Sequence, residues 1–359
     1  MRASWGHGAW GEEDIRWVEI SVVQQEVVVH LPQQAQGGTS HSMRPAWDRR
    51  FISTMGTRIL GWGTALPDRV ITNAELEKTL DTSDQWIVER TGIRERRVGS
   101  STAELAIEAG RAALMNAGVE PASIDLMILC TTTPDQTVPA TSAHVQQELE
   151  LRGGAFDLNA ACSGFVYGLV MANSMLTTGS HRVLLIGAEI VSRITDWNDR
   201  NTAVLFGDGA GALVLEHVAG EGQLLSWDLG LDGSARLVLQ CDLGGKLQMD
   251  GREVFKRAVR AVVDSAKRTL ENAKVHPDQV KLIVPHQANI RIIQSACDRL
   301  GIERERAAIV IDRTGNTSSA SIPLALVDAI DNKRLEEGDF VLLTGFGAGM
   351  TWGSALIRW

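Results

Sequence analysis

Cysteine is scarce and scattered in this chain of 359 residues. The four, Cys130, Cys162, Cys241 and Cys297, lie far apart with no CxxC pair, which argues against a zinc site and against a dense disulfide framework. No uninterrupted apolar run approaches the roughly 18 to 20 residues needed to cross a bilayer, so a soluble protein with no membrane partner is expected. The N-terminus lacks a basic stretch followed by an apolar run, and Glu12, Glu13, Asp14 and Glu19 suit a transit peptide poorly. A cytoplasmic location is therefore expected. Positive charge is also short, with 35 Lys and Arg against 44 Asp and Glu and a formal net charge of −9. Nucleic acid is then a poor main partner, because neutralising phosphates takes a basic surface. A local basic face stays open.

Two similar halves make up most of the chain. Residues 1–54, with Gly-, Ser- and Gln-containing stretches and only short valine clusters, read as a weakly ordered extension, and Arg58-Ile59-Leu60-Gly61-Trp62 as the first strand. The first half, 55–225, carries the apolar runs Asp125 to Cys130, Ala155 to Leu158 and Arg182 to Gly187. The second, 226–359, repeats them at Lys281 to His286, Ala308 to Asp312 and Asp339 to Thr344. Runs this short and continuous suit strands buried on both faces. Helical patterns lie between them: a capping box at Ser101 and Glu104 opens one that ends at Gly118, Ser163 to Thr178 is mostly apolar, and Glu253 to Ala273 is amphipathic. This alternation predicts a duplicated α/β fold in layers.

Matching the halves places Cys162 and Asn316 after equivalent strands and His286 at the end of another, so residues from both halves can converge on one pocket. Cys162 precedes an apolar helix, whose N-terminal dipole favours a thiolate. The bland alternative, a small buried thiol, describes Cys130, Cys241 and Cys297 better. His286, between Pro285 and Gln287, has the alternative of a satisfied structural imidazole. Asn316 lies in a turn, where asparagine is common for local hydrogen bonding alone, but a neutral amide can also donate to a developing oxyanion. Gly345-Phe346-Gly347-Ala348-Gly349-Met350 would bring backbone N–H groups close to a substrate beside an activated thiol. A thiol, an imidazole and an amide together are what carbon–carbon bond formation at a thioester requires.

These segments, with Thr82-Ser83-Asp84-Gln85-Trp86-Ile87, Arg90-Thr91-Gly92-Ile93-Arg94-Glu95-Arg96, Leu205-Phe206-Gly207-Asp208-Gly209-Ala210, His286-Gln287-Ala288-Asn289, Gly315-Asn316-Thr317 and Thr351-Trp352-Gly353, resemble the β-ketoacyl-acyl-carrier-protein synthase III family of the thiolase superfamily. The resemblance covers about residues 55 to 359. It implies a five-layered αβαβα thiolase fold, a homodimer, and no metal or redox cofactor. It further implies that the Cys162 thiolate takes an acyl group from acyl-CoA, with the backbone N–H groups of Cys162 and Ala348 as the oxyanion hole. His286 and Asn316 would then stabilise the enolate left when malonyl-acyl carrier protein loses carbon dioxide.

For binding, the resemblance implies Trp86 and Arg200 around the coenzyme A adenine, Arg90 near its phosphates and Asn289 in the same site. Trp86 as core and Arg200 paired with Asp196 or Asp199 are the structural alternatives. Val138 falls where the family closes the partner subunit's acyl pocket, and valine there hints at primers longer or more branched than acetyl. Lys256, Arg257, Arg260 and Arg291 would form a docking patch for acidic carrier protein, against the alternative of a solvated helix face. A secondary-metabolite starter-unit ketosynthase would keep the same three residues, whereas a 3-hydroxy-3-methylglutaryl-CoA synthase-like enzyme would need a catalytic glutamate in their place. A non-catalytic acyl-CoA or carrier-protein binding module is the alternative outside enzymes.

Overall fold

The apolar runs of the first half assemble into one five-stranded sheet. In the computed structural model, which describes residues 55–359, its strands are β1 (Met55–Ala65), β2 (Leu126–Cys130), β3 (Gly154–Leu158), β4 (Arg182–Ile190) and β5 (Asp208–Ala219). They lie in the order β1-β5-β4-β2-β3. β2 runs parallel to β3 and β4, and antiparallel pairs join β4 to β5 and β5 to β1. The second sheet contains β6 (Leu224–Leu231), β7 (Val280–Pro285), β8 (Phe340–Gly347) and β9 (Thr351–Arg358), in the order β7-β8-β9-β6. Its β7 and β8 are parallel and the other pairs antiparallel, so it repeats the pattern of the first. The second half begins with β6 at Leu224, just before the expected boundary at 226. The expected extension, 1–54, lies outside the described residues.

Period-two alternation explains the layering. On β4, Val183 and Leu185 face a central core, while Leu184 and Ile186 face an outer one. On β8, Val341 and Leu343 point to the central core and Leu342 to the opposite side. The helices used below are α1 (Asp84–Thr91), α2 (Thr102–Ala117), α3 (Gly164–Thr178), α4 (Gly251–Ala273), α5 (Ile290–Leu300) and α6 (Ser321–Asp331). α3 and α6 fill the central core between the sheets, α2 covers the first sheet, and α4 and α5 cover the second. Helix, sheet, helices, sheet, helices are the five layers of the thiolase fold. α2 starts at the expected capping box, Ser101 with Glu104, and ends on Gly118 in the left-handed conformation.

Two expected strands differ. β3 is the sheet edge and only half-buried, with Phe156 38% exposed. The run Ala308 to Asp312 makes no strand beyond a single bridge between Ile283 and Ala307 and turns helical over Ile311–Thr314. The reason is Gln287, fully buried, whose side chain supplies the hydrogen bonds a neighbouring strand would have made. Its Nε2 donates to the carbonyls of Pro285 (2.7 Å) and Ala308 (3.1 Å), and its Oε1 accepts from Val310 N–H (3.0 Å) and Ile311 N–H (3.2 Å).

Candidate active site

Cys162 stands between β3 and the N-terminus of α3, on a loop clamped from both halves. The carbonyl of Ala160 accepts from Ser163 Oγ (2.7 Å) and from Thr351 Oγ1 (3.0 Å), and Ala161 holds a left-handed φ of 50°. Gly347, at the end of β8, passes so close that a Cβ there would sit 2.6 Å from Cys162 N. Ala348 follows, without the positive φ that would make a side chain costly. Burial pushes the Cys162 thiol up to about 12, in the direction opposite to the pull of the dipole of α3. Desolvation of a charge at Cys162 acts against the dipole of α3, whose effect at a helix terminus is typically about 0.3–1 kcal/mol.

His286 follows β7, which ends on Pro285. Its backbone N–H donates to Thr344 O (2.8 Å), and its Nδ1 lies 2.6 Å from Ser321 Oγ. That hydroxyl also accepts from Gln287 N–H (3.3 Å), and among the described residues Nδ1 is the one acceptor offered to its own hydrogen. The hydrogen-bond pattern thereby assigns the imidazole proton to Nε2. Burial lowers the His286 pKa to about 3, and the ring is neutral. Asn316 is fixed at its backbone by bonds to Leu205 O (2.8 Å) and from Gly207 N–H (3.0 Å). Its Oδ1 accepts from Ser318 N–H (2.9 Å), which leaves the Nδ2 donors for the cavity.

Cys162, His286 and Asn316 line one cavity of about 140 Å³. It shares Leu205, Met249, Gly251, Phe255 and Asn289 with an outer cavity of about 790 Å³ whose wall carries Trp86, Arg90, Arg200, Arg252 and Arg291. On its other side it shares Cys162, Phe206 and Leu239 with a third cavity of about 750 Å³, which Ala348 also lines. Cys162 therefore stands where two cavities meet, one of them continuous with an arginine-lined outer cavity.

A family model of 3-oxoacyl-[acyl-carrier-protein] synthase III matches residues 156–233, and the model of its C-terminal region matches residues 270–359. The β-ketoacyl-[acyl-carrier-protein] synthase III of Roseiflexus sp. strain RS-1 is 49% identical over 319 residues, 83% of this chain and 97% of that protein. This chain belongs to that family. The crystal structure of the 3-oxoacyl-[acyl-carrier-protein] synthase III from Aquifex aeolicus VF5 has a TM-score of 0.83 at 44% identity, covering 85% of this chain and 100% of that one. A priming β-ketosynthase from the R1128 polyketide biosynthetic pathway has a TM-score of 0.81 at 35% identity, covering 89% and 99%. Like its family, the chain is a condensing acyltransferase of the kind that initiates fatty acid synthesis.

The remaining residues expected in a synthase III site fall differently. Trp86 is half-buried against the small core that holds Ile87 and Ile93, and Arg90 Cζ and Arg200 Cζ lie 4.8 and 4.9 Å from its ring centroid. Arg200 pairs with neither Asp196 nor Asp199; it donates to Asp81 O (2.7 Å) and lies 3.8 Å from the Asp81 carboxylate. Asn289 caps α5 by accepting from Arg291 N–H (2.9 Å) and donates to Arg90 O (3.0 Å), so its amide is engaged in holding the entrance wall. Lys256, Arg260 and Arg291 are exposed, Arg260 lying 3.6 Å from Asp264. Arg257 is half-buried and pairs with Glu253 (2.7 Å) and Asp232 (3.3 Å). Val138 is 83% exposed and lines none of the three cavities. Gln287, Ser321 and Ser318 were missed. Each acts across the fold on another residue, and only the serine-rich run after Asn316 hinted at them.

Proposed function

We propose that this synthase III condenses an acyl-CoA primer with malonyl-acyl carrier protein to give a 3-oxoacyl carrier protein. The observation that carries the reading is the meeting of Cys162, His286 and Asn316 on one cavity behind an arginine-lined mouth. The thioester of acyl-CoA enters past Trp86, Arg90 and Arg200, whose cations suit phosphates. As the sulfur attacks, its proton passes to the departing coenzyme A sulfur, because His286 carries its own proton on Nε2 and accepts at Nδ1 from Ser321. The N–H groups of Cys162 and Ala348 stabilise the oxyanion, and coenzyme A leaves with that proton. Malonyl carrier protein then docks on Lys256, Arg260 and Arg291. His286 Nε2–H and Asn316 Nδ2–H bind its thioester carbonyl, carbon dioxide departs, and the stabilised enolate attacks the acyl-cysteine. Thiol, imidazole and amide carry every step, and the reading requires no further cofactor.

Incubation with radiolabelled acyl-CoA is expected to leave a covalent adduct that disappears in Cys162→Ala; a protein that only binds acyl-CoA would leave none in either. In the same assay, rising salt should slow turnover of malonyl carrier protein more than acyl loading, because only the former relies on an exposed basic patch. Equal sensitivity would remove the docking role.

The active form is read as a homodimer. The outer edge of β3 has no strand partner among the described residues, and an unpaired edge bearing Phe156 is the kind of surface proteins cover. The exposed Val138 would then reach the partner subunit's acyl cavity. Phe156→Arg is expected to give monomers by sedimentation and to blunt the preference for C4 to C8 primers over acetyl. A wild-type chain that sediments as a monomer, or that uses acetyl-CoA at least as well as longer primers, would contradict this.

A further inference from the structure

Arg96 is fully buried, and no ion pair meets its charge among the described residues. It lies opposite Ile71 in a short antiparallel ribbon, Val70–Thr72 with Glu95–Arg97. Nη1 donates to Ile71 O (3.2 Å) and Asn73 Oδ1 (2.9 Å), and Nη2 donates to Val204 O (2.8 Å). Nε finds no acceptor. Taking a cation out of water without a carboxylate partner is costly, and burial lowers its pKa to about 10, which still leaves the group charged at neutral pH. A rigid fork of donors that reaches three separate acceptors holds them at fixed separations. Condensation as derived above does not use it.

Both sides of that fork lead to the site. Asn73, also buried, donates through Nδ2 to Asp84 Oδ1 (2.8 Å) and to Ile93 O (2.8 Å), and Asp84 opens α1, which carries Trp86 and Arg90. On the other side, Val204 leads into Leu205, whose carbonyl accepts from Asn316 N–H (2.8 Å), while Gly207 N–H donates back to Asn316 O (3.0 Å). The stem of Arg96 is pressed against the same two segments: a Cβ on Gly207 would lie 3.2 Å from Arg96 Cβ, and one on Gly315 would lie 3.1 Å from it. We propose that Arg96 is a positioning residue for decarboxylation: by holding Val204 O and packing against Gly207 and Gly315, it sets where the Asn316 amide stands in the inner cavity. The inference rests on the role given above to Asn316. It adds that the wall receiving a ligand and the donor acting on its thioester are both seated from one buried point.

The two half-reactions separate positioning from stability. Cys162 is held by other bonds, from Ser163 Oγ and Thr351 Oγ1 to Ala160 O, so its loading does not depend on this fork. Arg96→Met keeps the stem and removes the donors. In the full chain it should slow decarboxylation of saturating malonyl carrier protein about tenfold or more, and acyl loading less than about threefold, because a misplaced group weakens only the step that uses it. A general loss of structure would lower both alike. In an Asn316→Ala background the same substitution should cost less than about twofold, since the group it positions is gone. Equal losses in the two half-reactions, or an undiminished loss in the Asn316→Ala background, would overturn the proposal.

Should Arg96→Met fail to fold, Arg96→Lys carries the test, since a compact ammonium keeps the charge but does not reproduce the planar fork that spans Val204 O and the Ile71 and Asn73 acceptors. Decarboxylation should fall at least about threefold with loading near the wild-type rate; an unchanged decarboxylation rate would overturn the proposal. Hydrogen–deuterium exchange read by mass spectrometry adds a measurement that needs no turnover. In either variant the peptides holding the Gly207 and Asn316 amides should exchange at least about tenfold faster than in wild type, with the buried strand Leu126–Cys130 unchanged. Equal acceleration in both places would overturn the positioning role. A wild-type chain that failed to decarboxylate malonyl carrier protein would strike the functional reading and leave the exchange measurement standing.

Discussion

Asn316→Ala should slow decarboxylation of malonyl carrier protein by about 10² to 10³, the usual effect of removing one aligned donor from a developing oxyanion, while acyl loading on Cys162 falls far less. The asymmetry follows from geometry: Asn316 Oδ1 is occupied by Ser318 N–H, so the amide offers the cavity only its donors, and the step that creates an enolate is the one that needs them. His286→Ala should show a comparable loss in decarboxylation and a much smaller one in loading, because its Nε2–H serves the enolate as a donor. The pH dependence separates donor from acid. With its pKa lowered to about 3 by burial, folded His286 stays neutral from about pH 5 to about pH 8, and decarboxylation should show no histidine inflection there. The same shift predicts acid sensitivity. Protons bind the unfolded chain's histidine first, so this contribution to stability is complete above about pH 6.5 and is lost as pH falls towards about 3. A bell-shaped decarboxylation profile centred near neutrality would contradict the neutral donor, and equal losses in both half-reactions of Asn316→Ala would contradict its assignment.

Gly347→Ala is expected to reduce acyl loading by at least about 10²-fold, because misplacing a reactive atom by about 1 Å has that cost. The added Cβ would lie 2.6 Å from Cys162 N and 2.7 Å from Ala161 Cβ. Neither is the end of a flexible side chain, so the loop itself must move against the bonds that hold Ala160 O. Gly347 has an extended φ of −155°, which any residue adopts, so the effect is one of space alone. Overpacking of this kind also costs about 1–3 kcal/mol of stability, visible as a lower melting temperature. Two residues earlier on the same strand, a Cβ at Gly345 would meet Ile322 Cδ1 at 3.3 Å and Cys162 O at 3.6 Å. Gly345→Ala should therefore lose much less. A Gly347→Ala variant that loads at the wild-type rate would mean that the two backbones are not pressed together in solution.

The fold was legible where local chemistry determines it. Continuous apolar runs at Leu126–Cys130 and Val280–Pro285 became buried strands, the Ser101 box capped α2, and the mostly apolar pattern after Ser163 became the central helix α3. The meeting of Cys162, His286 and Asn316 on one cavity was legible because each sits where an apolar run stops abruptly. What escaped depends on contacts between segments distant in sequence. Ala308 to Asp312 has the composition of a strand, and only the buried Gln287 makes strand pairing unnecessary. A helix dipole can be inferred from the position of Cys162, but the drier surroundings that raise its pKa come from the second half folding over it. Arg257 reads like its basic neighbours until Asp232, brought in by β6, takes its charge.

The indole of Trp86, with a guanidinium near 5 Å on each of two neighbours, also bears on how binding energy is partitioned. On the proposed reading, a purine at that ring would exchange one stacking partner for another rather than cover bare surface, and Arg200 would have to release Asp81 O. The nucleotide end of such a ligand would be discounted by what it displaces, and a truncated thioester ending at the pantetheine arm should forgo less affinity than its lost contact area suggests.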